Sequence, residues 1–184
     1  RARHDIIITR VPDVVGPGRS AAAFRHVPIG GNAMHAPEIP GLDISPVKED
    51  VFLVNQKKTS GPMSCCSGLV VAAKQGRNKN PIAIDVNVEP QFVEALVAAF
   101  GPVKEYICTF GELNHIAHLH AWERSGAVIN APKSEAQYCV DLKLYSKGFG
   151  YSKAMRFSAV RKIAEANGFA PCNFPDRRES HRFR

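Results

Sequence analysis

Residues 81–102 read PIAIDVNVEPQFVEALVAAFGP, and this stretch sets the fold class. Ile82, Ile84 and Val86 alternate with smaller or polar neighbours, the period of two that turns one face of a pleated strand toward a core. Glu89 and Pro90 then supply a helix start, because proline at the first helical position gives up an N–H that has no intrahelical partner. Phe92, Leu96 and Phe100 recur every four residues along one helical face, and Gly101 with Pro102 supplies the stop. A strand feeding a capped amphipathic helix predicts a mixed α and β core.

Reading toward the C-terminus, residues 103–110 and 115–122 are apolar enough for two strands, with 111–114 as the turn of a hairpin. A polar turn at 131–135 precedes a further strand at 138–145. A second helix is expected from Ser152 as N-cap to Asn167 and Gly168, with Phe157, Val160 and Ala164 inward and Lys153, Arg156, Arg161 and Lys162 outward. The order approximates the β-α-β-β-α-β of ferredoxin-like α+β folds, a mostly antiparallel sheet with two helices on one face, although it carries an extra strand. Residues 81–174 are the expected core, with Phe92, Leu96, Phe100, Val160 and Ile163 packed on the sheet.

Toward the N-terminus, residues 51–80 read as a strand at 51–55, a polar basic loop at 56–62, and a buried strand or short helix at 69–73. Residues 1–50 hold a short apolar strand at 6–9 among densely placed prolines and glycines, which forbid long helices. They are expected to form an extended Pro/Gly-rich arm lying on the core or on a partner, or else a loop-rich lobe of the same core. Residues 175–184 form a basic tail.

The 184 residues carry a net charge of +7, with 45% hydrophobic and 22% charged residues, the balance of a folded domain rather than a disordered chain. Apolar runs such as residues 69–73 are far short of the roughly 18–20 needed to cross a bilayer. Five cysteines without C-x-x-C spacing do not form a disulfide framework and suit a reducing compartment. With neither a start methionine nor an apolar signal core before Asp5, a processed N-terminus and a removed targeting peptide are expected.

Residues 146–151 read SKGFGY, and 100–105 read FGPVKE. Lys147 to Tyr151 resembles the ribonucleoprotein signature of RNA recognition motifs, while 100–105 resembles that family's first helix end and second strand, and 159–168 its second helix. The last three signature positions differ, being Ser152, Lys153 and Ala154, and residues 111–143 would form a large insertion. The resemblance implies RNA binding, with Phe149 and Tyr151 on one strand face stacking on bases and Lys147 meeting phosphate. Otherwise Gly148 and Gly150 make a strand-to-helix turn with Phe149 buried. The GFGYSKA segment leading into a basic helix also resembles a turn of the fifth small-subunit ribosomal protein family, and residues 111–122 resemble a segment of the NIPSNAP family.

Other chemistry is harder to assemble. His115, His118 and His120 are the most metal-like group: His118 and His120 would share a strand face with Ile116 and Trp122, and Cys108 could come close across the hairpin, but no third ligand stands in register, so no metal or other cofactor is expected. Cys65, Cys66 and Ser67 before Gly68 lack a G-x-S-x-G elbow, and sequence order assigns them no histidine or acid. Residues 16–20, GPGRS, lack the lysine of a phosphate loop. No catalytic set emerges, and no enzymatic activity is expected. Cations cluster at Arg1, Arg3 and Arg10, at Lys74, Arg77 and Lys79, on the second helix, and at Arg177, Arg178, Arg182 and Arg184. Basic ends on a basic domain suit phosphate-rich surfaces. The expected function is an RNA-binding structural subunit of a large ribonucleoprotein, a mitochondrial ribosomal protein contacting rRNA and neighbouring subunits. An accessory subunit of a mitochondrial respiratory or ATP synthase complex ranks second, and a ferredoxin-like dimer binding a small molecule third.

Overall fold

A computed structural model describes residues 35–73 and 79–173. The strands are β1 (Leu42–Lys48), β2 (Val51–Gln56), β3 (Gly68–Val71), β4 (Ile82–Ile84), β5 (Glu105–Ile107) and β6 (Val128–Asn130). They form one mixed sheet in chain order, β1-β2-β3-β4-β5-β6. The pairings from β1 to β4 are antiparallel, with Val54 opposite Gly68 and Leu69 opposite Ile84. The β4–β5 and β5–β6 pairings are parallel, aligning Ala83, Tyr106 and Ile129 in one row.

Parallel neighbours need a crossover connection. Helix α1 (Pro90–Phe100) supplies the first, and α2 (Leu113–Ile116) with α3 (Leu119–Arg124) supplies the second. Val93 and Leu96 of α1 are buried, and its Phe100 ring meets Phe52 of β2 at 5.2 Å. Trp122 of α3 is fully buried, packs on Tyr106 at 5.5 Å, and donates its indole N–H to the Val86 carbonyl at 2.7 Å. The chain closes with α4 (Lys133–Val140), α5 (Leu142–Gly148), α6 (Tyr151–Ala154) and α7 (Phe157–Ala166).

The α+β composition, the strand at 82–84 and the helix beginning at Pro90 are as the sequence suggests; residues 69–71 are strand. Several expectations need correction. The sheet has consecutive strand order with two parallel pairings, unlike a ferredoxin-like sheet, and more than two helices accompany it. No hairpin follows β5, because residues 115–122 lie in α2, a two-residue turn and α3: Leu113, Ile116 and Ala117 are buried at helical spacing, as are Leu119 and Trp122. Residues 138–145 lie in α4 and α5, with Asp141 capping α5 by accepting from the backbone N–H of Lys143 at 2.7 Å.

The final long helix starts at Phe157 after Arg156, and Ser152 belongs to the short α6. Its Val160 and Ala164 are buried, Phe157 is half-buried, and Ile163 is 44% exposed rather than packed. Residues 42–48, within the expected arm, form the sheet's first strand. The rest of that arm up to residue 34, the strand at 6–9, the GPGRS turn, Lys74 and Arg77, and the C-terminal tail lie outside the described residues.

Candidate functional site

The SKGFGY segment is the end of a helix, a turn and the start of another helix. The strand on which base stacking was expected is therefore absent. Phe149 instead packs against Tyr145 at 4.8 Å, Tyr138 at 5.2 Å and Phe110 at 5.8 Å, while Tyr151 stacks on Tyr145 at 5.7 Å. Gly148 permits the close approach, since a β-carbon there would overlap the Tyr138 ring. Tyr145 and Tyr151 also line an apolar cleft of about 80 Å³ with Met63, Leu113, Met155 and Ile163.

The cations of this region face solvent. Lys143, Lys147, Lys153, Arg156, Arg161 and Lys162 are all exposed along α5–α7, where Asp141 and Glu165 are the carboxylates. Among the described residues none of these six cations is ion-paired with a carboxylate. Lys143 and Arg161 approach the Phe157 ring from different helices, at 5.9 and 5.2 Å from its centre. Lys147, expected to meet phosphate from a strand, lies in α5, as does Lys143. Arg177, Arg178, Arg182 and Arg184 lie outside the described residues.

A second cluster forms at the carboxyl end of β4, the edge at which open sheets with parallel strands commonly place ligand sites. Asp85 follows β4 with φ +52°, the left-handed region that a non-glycine residue adopts at a cost. Its carboxylate accepts from the Thr109 backbone N–H at 2.8 Å and from the Thr109 hydroxyl, and lies 3.3 Å from His115 Nδ1. Cys66 donates its thiol to the Asp85 carbonyl at 3.0 Å and its backbone N–H to the Asn87 carbonyl at 3.1 Å. Gly68 lets these loops meet, since a β-carbon there would overlap the backbone of residues 84–86.

Burial pushes the Asp85 carboxyl up, but His115 and the Thr109 donors outweigh it and hold the group below its ordinary value. Hydrogen bonding to Asp85 first, and to Cys66 second, raises His115 to about 10 against the opposing effect of burial. Phe110, 42% exposed, presents its ring edge-to-face to His115 at 5.8 Å.

Asn87 is fully buried and fastens three segments at once. Its amide N–H groups donate to the carbonyls of Ser64 at 2.8 Å and Asn114 at 2.5 Å, and its side-chain oxygen accepts from His118 N at 2.9 Å. The sequence signal for this cluster is IDVN itself, an acid and an amide closing an apolar strand. Its partners lie 19 to 31 residues away and only the fold identifies them.

His118 and His120 sit 6.1 Å apart but not on a strand face. His118 is buried and lowered to about 4, by desolvation first and by His120 second. Among the described residues no group of three or more His, Cys, Asp or Glu side chains is placed to hold a metal ion. No described helix is long and apolar enough to cross a membrane. No protein-family model matches the chain, and no curated protein is significantly similar to it.

Proposed function

We propose that the chain binds structured RNA through the cationic face of α5–α7, as a structural subunit of a large ribonucleoprotein, and that the particle is a mitochondrial ribosome. One observation carries the reading: six exposed cations share a stretch with two carboxylates and are not ion-paired among the described residues. Such a face gains free energy on meeting phosphates by releasing condensed counterions, and it needs no deep pocket. Lys143 and Arg161 both lie over the Phe157 ring, which keeps two of the charges together. Phe149 and Tyr151 take a scaffolding role here, packing α4, α5 and α6 together.

Fluorescence anisotropy with a labelled RNA hairpin, titrated over a range of salt, tests the proposal. Affinity should fall by roughly 0.7–0.9 log units per phosphate contact for each tenfold rise in salt. Reversing Arg156, Arg161 and Lys162 to Glu should weaken binding at least tenfold and flatten that slope. Salt-independent association, or unchanged affinity in the reversed variant, would remove the reading.

A further inference from the structure

We propose that Cys66, His115 and Asp85 form a thiol catalytic site for acyl transfer from an ester or thioester, independent of the cationic face. The geometry brings a thiol, an imidazole and a carboxylate from three separate segments to the carboxyl end of β4. Cys66 Sγ lies 3.0 Å from the Asp85 carbonyl oxygen and His115 Nδ1 lies 3.3 Å from Asp85 Oδ1, so Asp85 is the residue that both the thiol and the imidazole meet. Nucleophile, proton carrier and orienting acid are the parts a covalent thiol mechanism uses. Two further observations separate this cluster from a chance meeting of polar residues. Asp85 is held in a backbone conformation that costs energy, and Asn87 clamps the Cys66 loop to the helix that carries His115.

In the first half-reaction Cys66 releases its thiol proton to solvent as the sulfur attacks. Its sulfur forms a bond to the acyl carbon, the bond from that carbon to the leaving oxygen or sulfur breaks, and the imidazolium of His115 gives its proton to the leaving group. In the second, neutral His115 takes a proton from water as the water oxygen bonds to the acyl carbon. The carbon–sulfur bond then breaks, the sulfur recovers a proton from solvent, and His115 is left as the imidazolium. Asp85 orients the ring and stabilises its charge throughout. The exposed Phe110 ring beside His115 favours an acyl or leaving group with a flat apolar surface.

Cys65 is an internal control, since it is also partly exposed and adjacent in sequence but bonds to Ser64 and Gln56 instead. With the full chain and p-nitrophenyl acetate, mass spectrometry should find one acetyl group on Cys66, with a nitrophenolate burst of one per chain. C65S should keep the burst, C66S should abolish it, and H115Q should slow release of the acetyl group at least tenfold. In the wild-type chain, iodoacetamide at pH 7 should alkylate Cys66 at least tenfold faster than Cys65, a comparison that needs no variant to fold. Equal alkylation of the two cysteines, acetylation of Cys65, or a burst surviving in C66S would each overturn the site.

Discussion

At the carboxyl end of β4, Asp85, Thr109, Asn87, His115 and Cys66 are held by one another, whereas along α5–α7 six cations stand in water, two of them over one aromatic ring. The first region couples its function to the fold, since a change at one member leaves buried partners without hydrogen bonds. The second is nearly free of the fold, because each solvated charge can be altered without unsatisfying anything beneath it. Stability measurements should therefore separate the two regions before any ligand is known.

The largest expected effect is at Asn87. Replacing it with alanine strips hydrogen-bond partners from Ser64, Asn114 and His118 together, at a cost of about 1–3 kcal/mol for each buried group left unpaired. Urea denaturation of Asn87→Ala should show a loss of at least about 3 kcal/mol. A loss below about 1 kcal/mol would mean that the clamp is loose. Gly68→Ala should follow closely, at about 2–4 kcal/mol, because its new β-carbon must displace the backbone of residues 84–86 rather than a flexible side chain.

Acid should sharpen the contrast further. His118 is held neutral in the fold, with His120 and Glu89 as the charged or titratable groups acting on it, and its value of about 4 lies below the ordinary histidine value of 6.5. The unfolded chain therefore takes up this proton first, so stability is complete above pH 6.5 and is lost as pH falls toward 4. The loss should be about 1–2 kcal/mol between pH 7 and 4.5, and smaller in His118→Leu, when urea midpoints are compared at both pH values. His115 acts in the opposite direction. Raised to about 10 by Asp85, its contribution is complete below pH 6.5 and disappears as pH rises through 10, and Asp85→Asn should abolish that alkaline dependence.

The different legibility of the two regions in sequence has the same physical origin. The outward placement of Arg161 and Lys162 was readable because helical spacing is local, and α1 was readable from Pro90, its apolar spacing and Gly101, whereas Lys153 and Arg156 are exposed but stand before that helix. Residues 115–122 misled because Ile116, His118, His120 and Trp122 all fall on even positions and imitate a strand. The chain in fact needs a crossover there to bring β6 parallel to β5. The glycines of SKGFGY resembled a bare strand surface but serve close packing against Tyr138. Nothing local to Cys66 names His115 or Asp85 as its partners, since that meeting depends on strand order.

The smallest stability effect is expected on the cationic face, where it is also the most discriminating. Lys153→Glu with Arg156→Glu changes the charge of the face by four, yet both side chains are exposed and neither is ion-paired among the described residues. Unfolding free energy should move by less than about 0.5 kcal/mol. Phe157→Ala should cost somewhat more, since the ring is half-buried and two cation–π contacts of about 0.5–1 kcal/mol each disappear with it. If the double reversal instead destabilised the chain by 2 kcal/mol or more, these cations would be structural members of α6 and α7 rather than a solvated face. If stability held while the salt dependence of RNA binding flattened, charge and fold would be separable here as they are not at Asp85.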